Sequence, residues 1–227
     1  MSTTSDAPVD DFPLPGGLLY AALSPDAQHL VVAGPGGHGL WRRADRRVRR
    51  ATTGAWSQAA AWSGTDRVAG ANGRRAVVLR PDGSEMWAAE PAAGTVTDVA
   101  RMRGGRRLAV AAYGAVRCHE CHRAAPLATY PYVGSHLAPA VAPTGRWICG
   151  GNQDAVLHIW RTRDGDDGTL ALWRASAGPA GGSLRPVQRY ELGSAVTAVA
   201  WSGPGLLIAA TRGGRIVALR LPDGTRL

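Results

Sequence analysis

The residues of this chain best suited to chemistry sit in one short run, Cys118-His119-Glu120-Cys121-His122. The spacing Cys-x-x-Cys-His matches covalent haem attachment, with His122 in the place of the axial ligand. Thiolates and imidazoles this close together are also soft ligands for zinc or a related metal. Local geometry weighs against both. The run continues an apolar stretch of strand character, and alternate residues of a strand face opposite ways. Cys118, Glu120 and His122 then share one face, and His119 and Cys121 the other. Two thiols so placed cannot grip one ion without a bend or bulge. The run reads as a polar strand with one buried Cys. No cofactor is expected, and Cys118, Cys121 and His122 are the candidates should a metal be held. Cys149, inside Trp147 to Cys149, reads as a small core residue.

A second chemical feature is basic. Arg42, Arg43, Arg46, Arg47, Arg49 and Arg50 fall within nine residues, with Asp45 between them. Such a patch can bind phosphates. It can equally be an outer strand guarded by charge against edge-to-edge pairing. No aromatic side chain is interleaved between Arg42 and Arg50, as a stacking groove for bases requires. The formal net charge is +9, and all 26 basic residues are Arg. With a single Phe and abundant Gly, this composition fits a GC-rich coding genome in which Arg stands in for Lys. The charge is therefore weaker support for a nucleic-acid function than its size suggests. A third feature, Asp164-Gly165-Asp166-Asp167-Gly168, lacks the Glu that closes a twelve-residue calcium loop and reads as a solvated turn. There is no nucleophile elbow, no phosphate-cradling Gly loop and no distinctive carboxylate pair, so the chain is not expected to be an enzyme.

The elements that carry these residues repeat. Leu18–Trp41, Ser57–Arg80, Val96–Cys118, Leu137–Trp160 and Ala195–Arg220 share one plan of apolar run, turn, apolar run, Gly-bearing turn, apolar run. Ser24, Ser63, Met102, Ala142 and Ser202 are equivalent, at spacings of 39, 39, 40 and 60 residues. A period near 40 with several short strands per unit is the signature of propeller blades. Pro81-Asp82-Gly83 recurs as Pro222-Asp223-Gly224 at the matching place in the last unit, which supports the alignment. The wide last gap holds Gly168 to Trp173, which resembles a turn and third strand with its first two strands missing: a half blade. Arg185 to Leu192 reads as an outer strand.

The unit from His136 to Trp160 carries a resemblance to the WD-repeat β-propeller family. Ser135-His136 stands where that family has Gly-His, Asp154 lies in the turn before the third strand, and Trp160 ends that strand, followed by Arg161 rather than Asp. The resemblance implies that His136, Asp154 and Trp160 belong to a structural blade network, with Cys149 near its Ser/Thr member. Trp41, Leu79, Cys118 and Leu219 stand near the position of Trp160 in the other units. The implied architecture is an all-β, WD-repeat-like propeller of about five full blades plus a partial blade, an incomplete or open ring.

The expected organisation is a flexible tail over residues 1–16 and one propeller domain over 17–227. The acidic tail has no basic residue and reads as no targeting signal, and no apolar run approaches a membrane span. An odd number of Cys, three, argues against a disulfide framework, and the expected compartment is the cytoplasm. The functional expectation is a non-catalytic scaffold for protein partners, with self-association through unpaired blade edges. The alternatives are an anion- or nucleic-acid-binding module using the Arg patch, or a metal-handling protein using Cys118 to His122. Val9 to Leu14 is the one segment near the start that can complete the last blade.

Overall fold

Apolar runs this short, cut by Gly and Pro turns, are too brief for helices and pair as antiparallel hairpins. The computed structural model describes residues 16–51, 55–145, 147–164, 170–172, 188–203 and 205–220. In the first blade β1 (Tyr20–Leu23), β2 (His29–Gly34), β3 (Gly37–Arg42) and β4 (Arg47–Ala51) pair in chain order. The second blade repeats this with β5 (Ala60–Trp62), β6 (Val68–Asn72), β7 (Arg75–Leu79) and β8 (Glu85–Ala88).

Seven strands then form one connected sheet: β9 (Val96–Met102), β10 (Arg107–Glu120), β11 (Pro126–Val141), β12 (Trp147–Asn152), β13 (Val156–Asp164), β14 (Leu170–Leu172) and β15 (Gln188–Glu191). Its pairing resolves into two blades. Residues 107–112 of β10 pair with β9, and residues 115–119 pair with 126–131 of β11. Cys121 N donates to Arg106 O at 3.0 Å, so β10 doubles back on itself at Tyr113-Gly114. Gly114 has φ +84° there, a conformation that suits glycine in a tight hairpin turn. Residues 136–141 of β11 leave the third blade and pair with β12 as the start of the fourth. The fifth blade is β16 (Val196–Trp201), β17 (Leu206–Thr211) and β18 (Ile216–Arg220), three strands among the described residues.

The blades are arranged as a β-propeller. Their inner strands lie side by side, β1 against β5, β5 against β9, β9 against β11, and β11 against β16. Among the described residues β16 makes no comparable packing on β1, and no helix is long and apolar enough to cross a membrane.

The expected half blade is corrected. Leu170–Leu172 pairs with residues 162–164 at the far end of β13, so it prolongs the fourth blade as a hairpin. β15 pairs with the near part of the same strand, Val156 opposite Glu191, and is that blade's outer strand. The extra length of the last repeat gap therefore lies within the fourth blade. Trp173, the acidic turn 165–168, the tail 1–15 with Val9 to Leu14, and Pro222 to Gly224 lie outside the described residues.

Four apolar clusters hold the fold, one in each junction between successive blades. Val31, Ala33 and Leu40 of the first blade meet Trp62, Val68 and Leu79 of the second. Ala69 and Val78 meet Val99 and Leu108. Met102, Val116 and Cys118 meet Ile148 and Trp160. Cys149, Leu157 and Ile159 meet Val196, Leu207 and Ala209. Middle strands are covered on both faces and so read as continuous apolar runs, every residue of β12 being buried.

Gly150 is required by the fourth blade's own packing. A Cβ there would lie 2.7 Å from His136 Nδ1 and 3.1 Å from the Trp160 ring. Gly150→Ala should destabilise by about 1–3 kcal/mol through overpacking, and Trp160→Ala by about 3–5 kcal/mol through lost packing. Urea unfolding of both variants against the parent checks this, and unchanged midpoints would contradict the buried contact.

Candidate interaction surface

The two thiols of the Cys-His run point into different junctions. Cys118 is fully buried in the cluster between the third and fourth blades, its Sγ 3.5 Å from Met102 Sδ. Burial pushes its thiol up to about 12. Cys121 lies in the cluster between the second and third blades, with its Sγ 3.0 Å from Ser63 Oγ and 2.9 Å from the Gly105 carbonyl. His119 stacks on Trp87 of the second blade, ring centroids 5.7 Å apart. His122 is exposed and pairs with Glu120 at 3.2 Å. Cys118 thus faces one way and His119 and Cys121 the other, as the alternation requires, but the reading of one buried Cys is corrected: both thiols and His119 are buried, and His119, rather than Cys118, faces back as Trp160 does. Among the described residues no three His, Cys, Asp or Glu side chains gather where a metal ion could be held.

His136 and Trp160 are both fully buried, ring centroids 5.4 Å apart, and His158 stacks on Trp160 at 5.7 Å. Burial, and then His158, depress His136 to about 4, while Asp154 pulls the other way. Asp154 itself is exposed, in the turn between β12 and β13. A second buried imidazole links two blades. His38 on β3 is 2.7 Å from Ser57 Oγ in the connection to the second blade, and its ring nearly touches Gly70, where a Cβ would lie 2.2 Å from Nε2. Ser57 occupies the register of His136: each lies three residues before a residue paired with a glycine, Ala60 with Gly70 and Pro139 with Gly150. The second blade therefore takes into this space an imidazole from the first, whereas the fourth blade uses its own.

All six residues of the Arg patch are exposed, Arg42 at the end of β3, Arg43 and Arg46 in the turn that follows, and Arg47, Arg49 and Arg50 along β4. Arg42 bonds Asp45, and this bond first of all holds the Asp45 carboxyl down at about 2.

The turns sort to two ends of the propeller. Because the strands of a blade alternate in direction, the connections between blades and the turns between second and third strands share one end. Of the seven exposed large hydrophobic side chains among the described residues, six lie there. Leu18, Leu19 and Tyr20 open the first blade, and Ile216 starts the third strand of the fifth. Trp56 lies in the connection to the second blade, its carbonyl accepting from Gly73 N at 2.8 Å. Tyr113 sits in the hairpin turn of β10. Only Leu23 is at the other end, where Arg42, Arg43 and Arg46 lie. Exposed aromatic and aliphatic groups gathered on one surface mark contact sites.

Asp98, on the inner strand β9, was not singled out from the sequence. Burial raises its carboxyl to about 7, against a bond from Val99 N at 2.7 Å. Tyr20 on β1 is raised by burial and then by the Asp98 charge. The one sequence signal for Asp98 is an acid inside an apolar strand, Val96-Thr97-Asp98-Val99. The signal for Trp56 and Tyr113 is a large aromatic residue in a connection or turn.

No protein-family model matches the chain, and no curated protein matches it. Solved structures do. A chain titled "Crystal Structure of Mitotic Checkpoint Complex" superposes with a TM-score of 0.67 at 14% identity over 89% of this chain. This chain spans 60% of that chain's length. A chain titled "Crystal structure of the computationally designed Ika4 protein" gives a TM-score of 0.56 at 14% identity, over 74% of this chain and 92% of that one. At this identity the likeness shows the fold, a propeller.

A carboxyl held near neutrality gives the fold a pH dependence of known sign. The folded-state pKa of Asp98, about 7, lies above the ordinary 3.8, so the fold favours the protonated acid. That contribution is full below the ordinary value and is lost as pH rises through the folded one. Relative to the parent, Asp98→Asn should gain on the order of 2–4 kcal/mol between acid and mildly alkaline pH. Urea melts on both sides of the folded pKa measure it, and a difference independent of pH would show that Asp98 is not held neutral.

Proposed function

We propose that this propeller is a non-catalytic scaffold that holds a protein partner on the end carrying Leu18, Leu19, Trp56 and Tyr113. The observation that supports it is the gathering of exposed large hydrophobic groups at that end. Trp56 and Tyr113 are each about half exposed, 51% and 50%, on turns supported by buried strands. Aromatic side chains on a rigid base bury much apolar area at little entropic cost, and they dominate protein contacts. Fold alone does not assign a partner. The recognising chemistry is an apolar or aromatic protein surface, in keeping with the cytoplasmic setting expected from the sequence.

A second reading rests on the opposite end, where Arg42, Arg43 and Arg46 are exposed and continue into Arg47, Arg49 and Arg50 along β4. There the partner would be a polyanion, and binding would weaken steeply with salt. The metal-handling alternative has less support, because the two thiols of the run lie in separate clusters.

Immobilised parent protein and a Trp56→Ser, Tyr113→Ser variant, both carried through capture from the native cell, test the first reading. The variant should melt within about 1 kcal/mol of the parent, as exposed substitutions do, and should lose the captured protein. Equal capture by both would remove the apolar end as the site. Parallel capture with Arg46, Arg47, Arg49 and Arg50 all changed to Ser reads the second. Loss of nucleic acid with this variant alone would favour the basic end.

A further inference from the structure

At the apolar end, Trp56 and Tyr113 flank one seam, the one between the second and third blades. A shallow depression there is floored by the small side chains of Ala76, Ala92 and Ala112 and bordered by Arg74 and Arg117. Trp56 stands on one flank. Its carbonyl accepts from Gly73 N at 2.8 Å, beside Arg74. Its indole N–H donates to Gln58 Oε1 at 3.2 Å, and Gln58 Nε2 donates in turn to the carbonyl of Val96, in the wall of the depression. Tyr113 stands on the other flank, in the turn after Ala112. Its Cβ lies over Gly94, where an added Cβ would be 2.8 Å away. Both aromatic residues are thereby tied to the walls of one seam.

The seam is also basic. Arg74 Nε and Arg75 Nε donate to the carbonyls of Ala92 and Ala89 at 2.7 and 2.8 Å. These bonds lay both side chains along the connection into the third blade without neutralising them. Arg117 adds a third positive charge, and Glu90 is the one acid lining the depression. A small apolar floor, aromatic flanks and three guanidinium groups select an aromatic residue that stands beside carboxylates. The chain carries such a segment. Residues 1–15, which lie outside the described residues, hold Asp6, Asp10 and Asp11 and no basic side chain, and Phe12 is the single Phe of the protein. Their attachment point is at this end. Gly16 abuts Pro35, where an added Cβ would lie 3.0 Å from the proline Cβ, and the Gly34 carbonyl accepts from Ser57 N at 3.0 Å, next to Trp56. Asp10, Asp11 and Phe12 are separated from Gly16 by a span of roughly 13–22 Å of extended chain. Pro8, Pro13 and Pro15 lack the N–H that a strand ladder uses, which favours contact through side chains.

We propose that residues 9–14 of the same chain dock on this seam, with Asp10 and Asp11 on Arg74 and Arg75 and with Phe12 over the alanine floor. The segment is then an internal occupant of the surface assigned above to a protein partner. A partner displaces it, and only a segment that offers more apolar contact or more negative charge than Asp-Asp-Phe does so. This rests on the scaffold reading for its consequence and adds the regulation of that site. Exposed ion pairs are individually weak, so the docked segment exchanges readily and gates the site without sealing it.

Photocrosslinking in the full-length chain tests it, with p-benzoylphenylalanine in place of Phe12. Irradiation should join that position, within the same chain, to residues 55–57, 73–76, 89–92 or 112–114, as read by mass spectrometry of the digest. Asp10→Arg with Asp11→Arg should lower the yield about fivefold or more, and adding Arg74→Asp with Arg75→Asp should restore it to within about twofold, because the exchanged charges pair again. Arg74 and Arg75 are exposed, and circular dichroism checks that each variant remains folded. Salt at about 1 M should lower the yield with the original charges in the same sense, without any change of fold. A crosslink on β18 places the segment on the outer edge of the fifth blade, and a crosslink between chains places it on a second copy. Either overturns the proposal, as does a yield indifferent to charge exchange and salt, or no crosslink at all. The yield is read on purified protein. A crosslink at the seam, with capture that Trp56→Ser and Tyr113→Ser leave unchanged, therefore upholds the docking and removes the partner reading. Capture lost in that variant, with no crosslink at the seam, removes the docking alone.

Discussion

A sheet with two apolar faces needs a neighbour on each side. Each internal junction removes a stripe of aliphatic and aromatic surface from water, and that burial is the main favourable term in the fold. Everything else follows from it. The middle strands are Val-, Ala- and Leu-rich because both of their faces are covered. The turns are polar or glycine-bearing because they emerge at the two ends. The thiols are inert because they lie inside junctions: Cys118 in one, Cys121 in the next, and Cys149, held far from its ionised form by burial, in the last.

Polar groups inside these junctions fix register more than they add strength. His38 and His136 are both depressed to about 4, first of all by burial, so both are neutral at ordinary pH. A neutral imidazole can bond without the cost of a buried charge, whereas an unsatisfied one would cost about 1–3 kcal/mol. The bond of His38 to Ser57 crosses from the first blade to the connection that opens the second, and it sets how far one sheet slides on the other. Asp98 works in the opposite electrostatic sense on the inner strand, an acid that the centre of the molecule prefers protonated.

Repeat spacing made the architecture legible because the turns, not the strands, carry the period. Pro81-Asp82-Gly83 read as a hairpin turn, and Ser84 N does bond Asp82 Oδ1 at 2.9 Å. Strand alternation also separated Cys118 from His119 and Cys121, although both thiols are buried where one was expected. Two features were not legible. The two-residue turn at Tyr113-Gly114 made it hard to tell which residue of the third blade stands in the place of Trp160, and His119 does so rather than Cys118. The prolonged β13, nine residues long, made a hairpin extension look like a remnant of another blade. Exposure was illegible for a different reason. Ile216-Val217-Ala218-Leu219 has the composition of a covered strand, and only the absence of packing on one side tells it apart.

The imidazole lent by His38 to the space over Gly70 bears on how separable the units of this array are. Tandem units are usually thought of as interchangeable, gained or lost by unequal exchange between their copies. Here the first two are not independent modules. Excising the first would leave a void over Gly70 and strand the Ser57 hydroxyl. Inserting a unit between them would separate donor from recipient. The fourth unit, which carries His136 itself, brings its own filler wherever it goes. The first two units therefore depend on one another for packing in a way that the fourth does not.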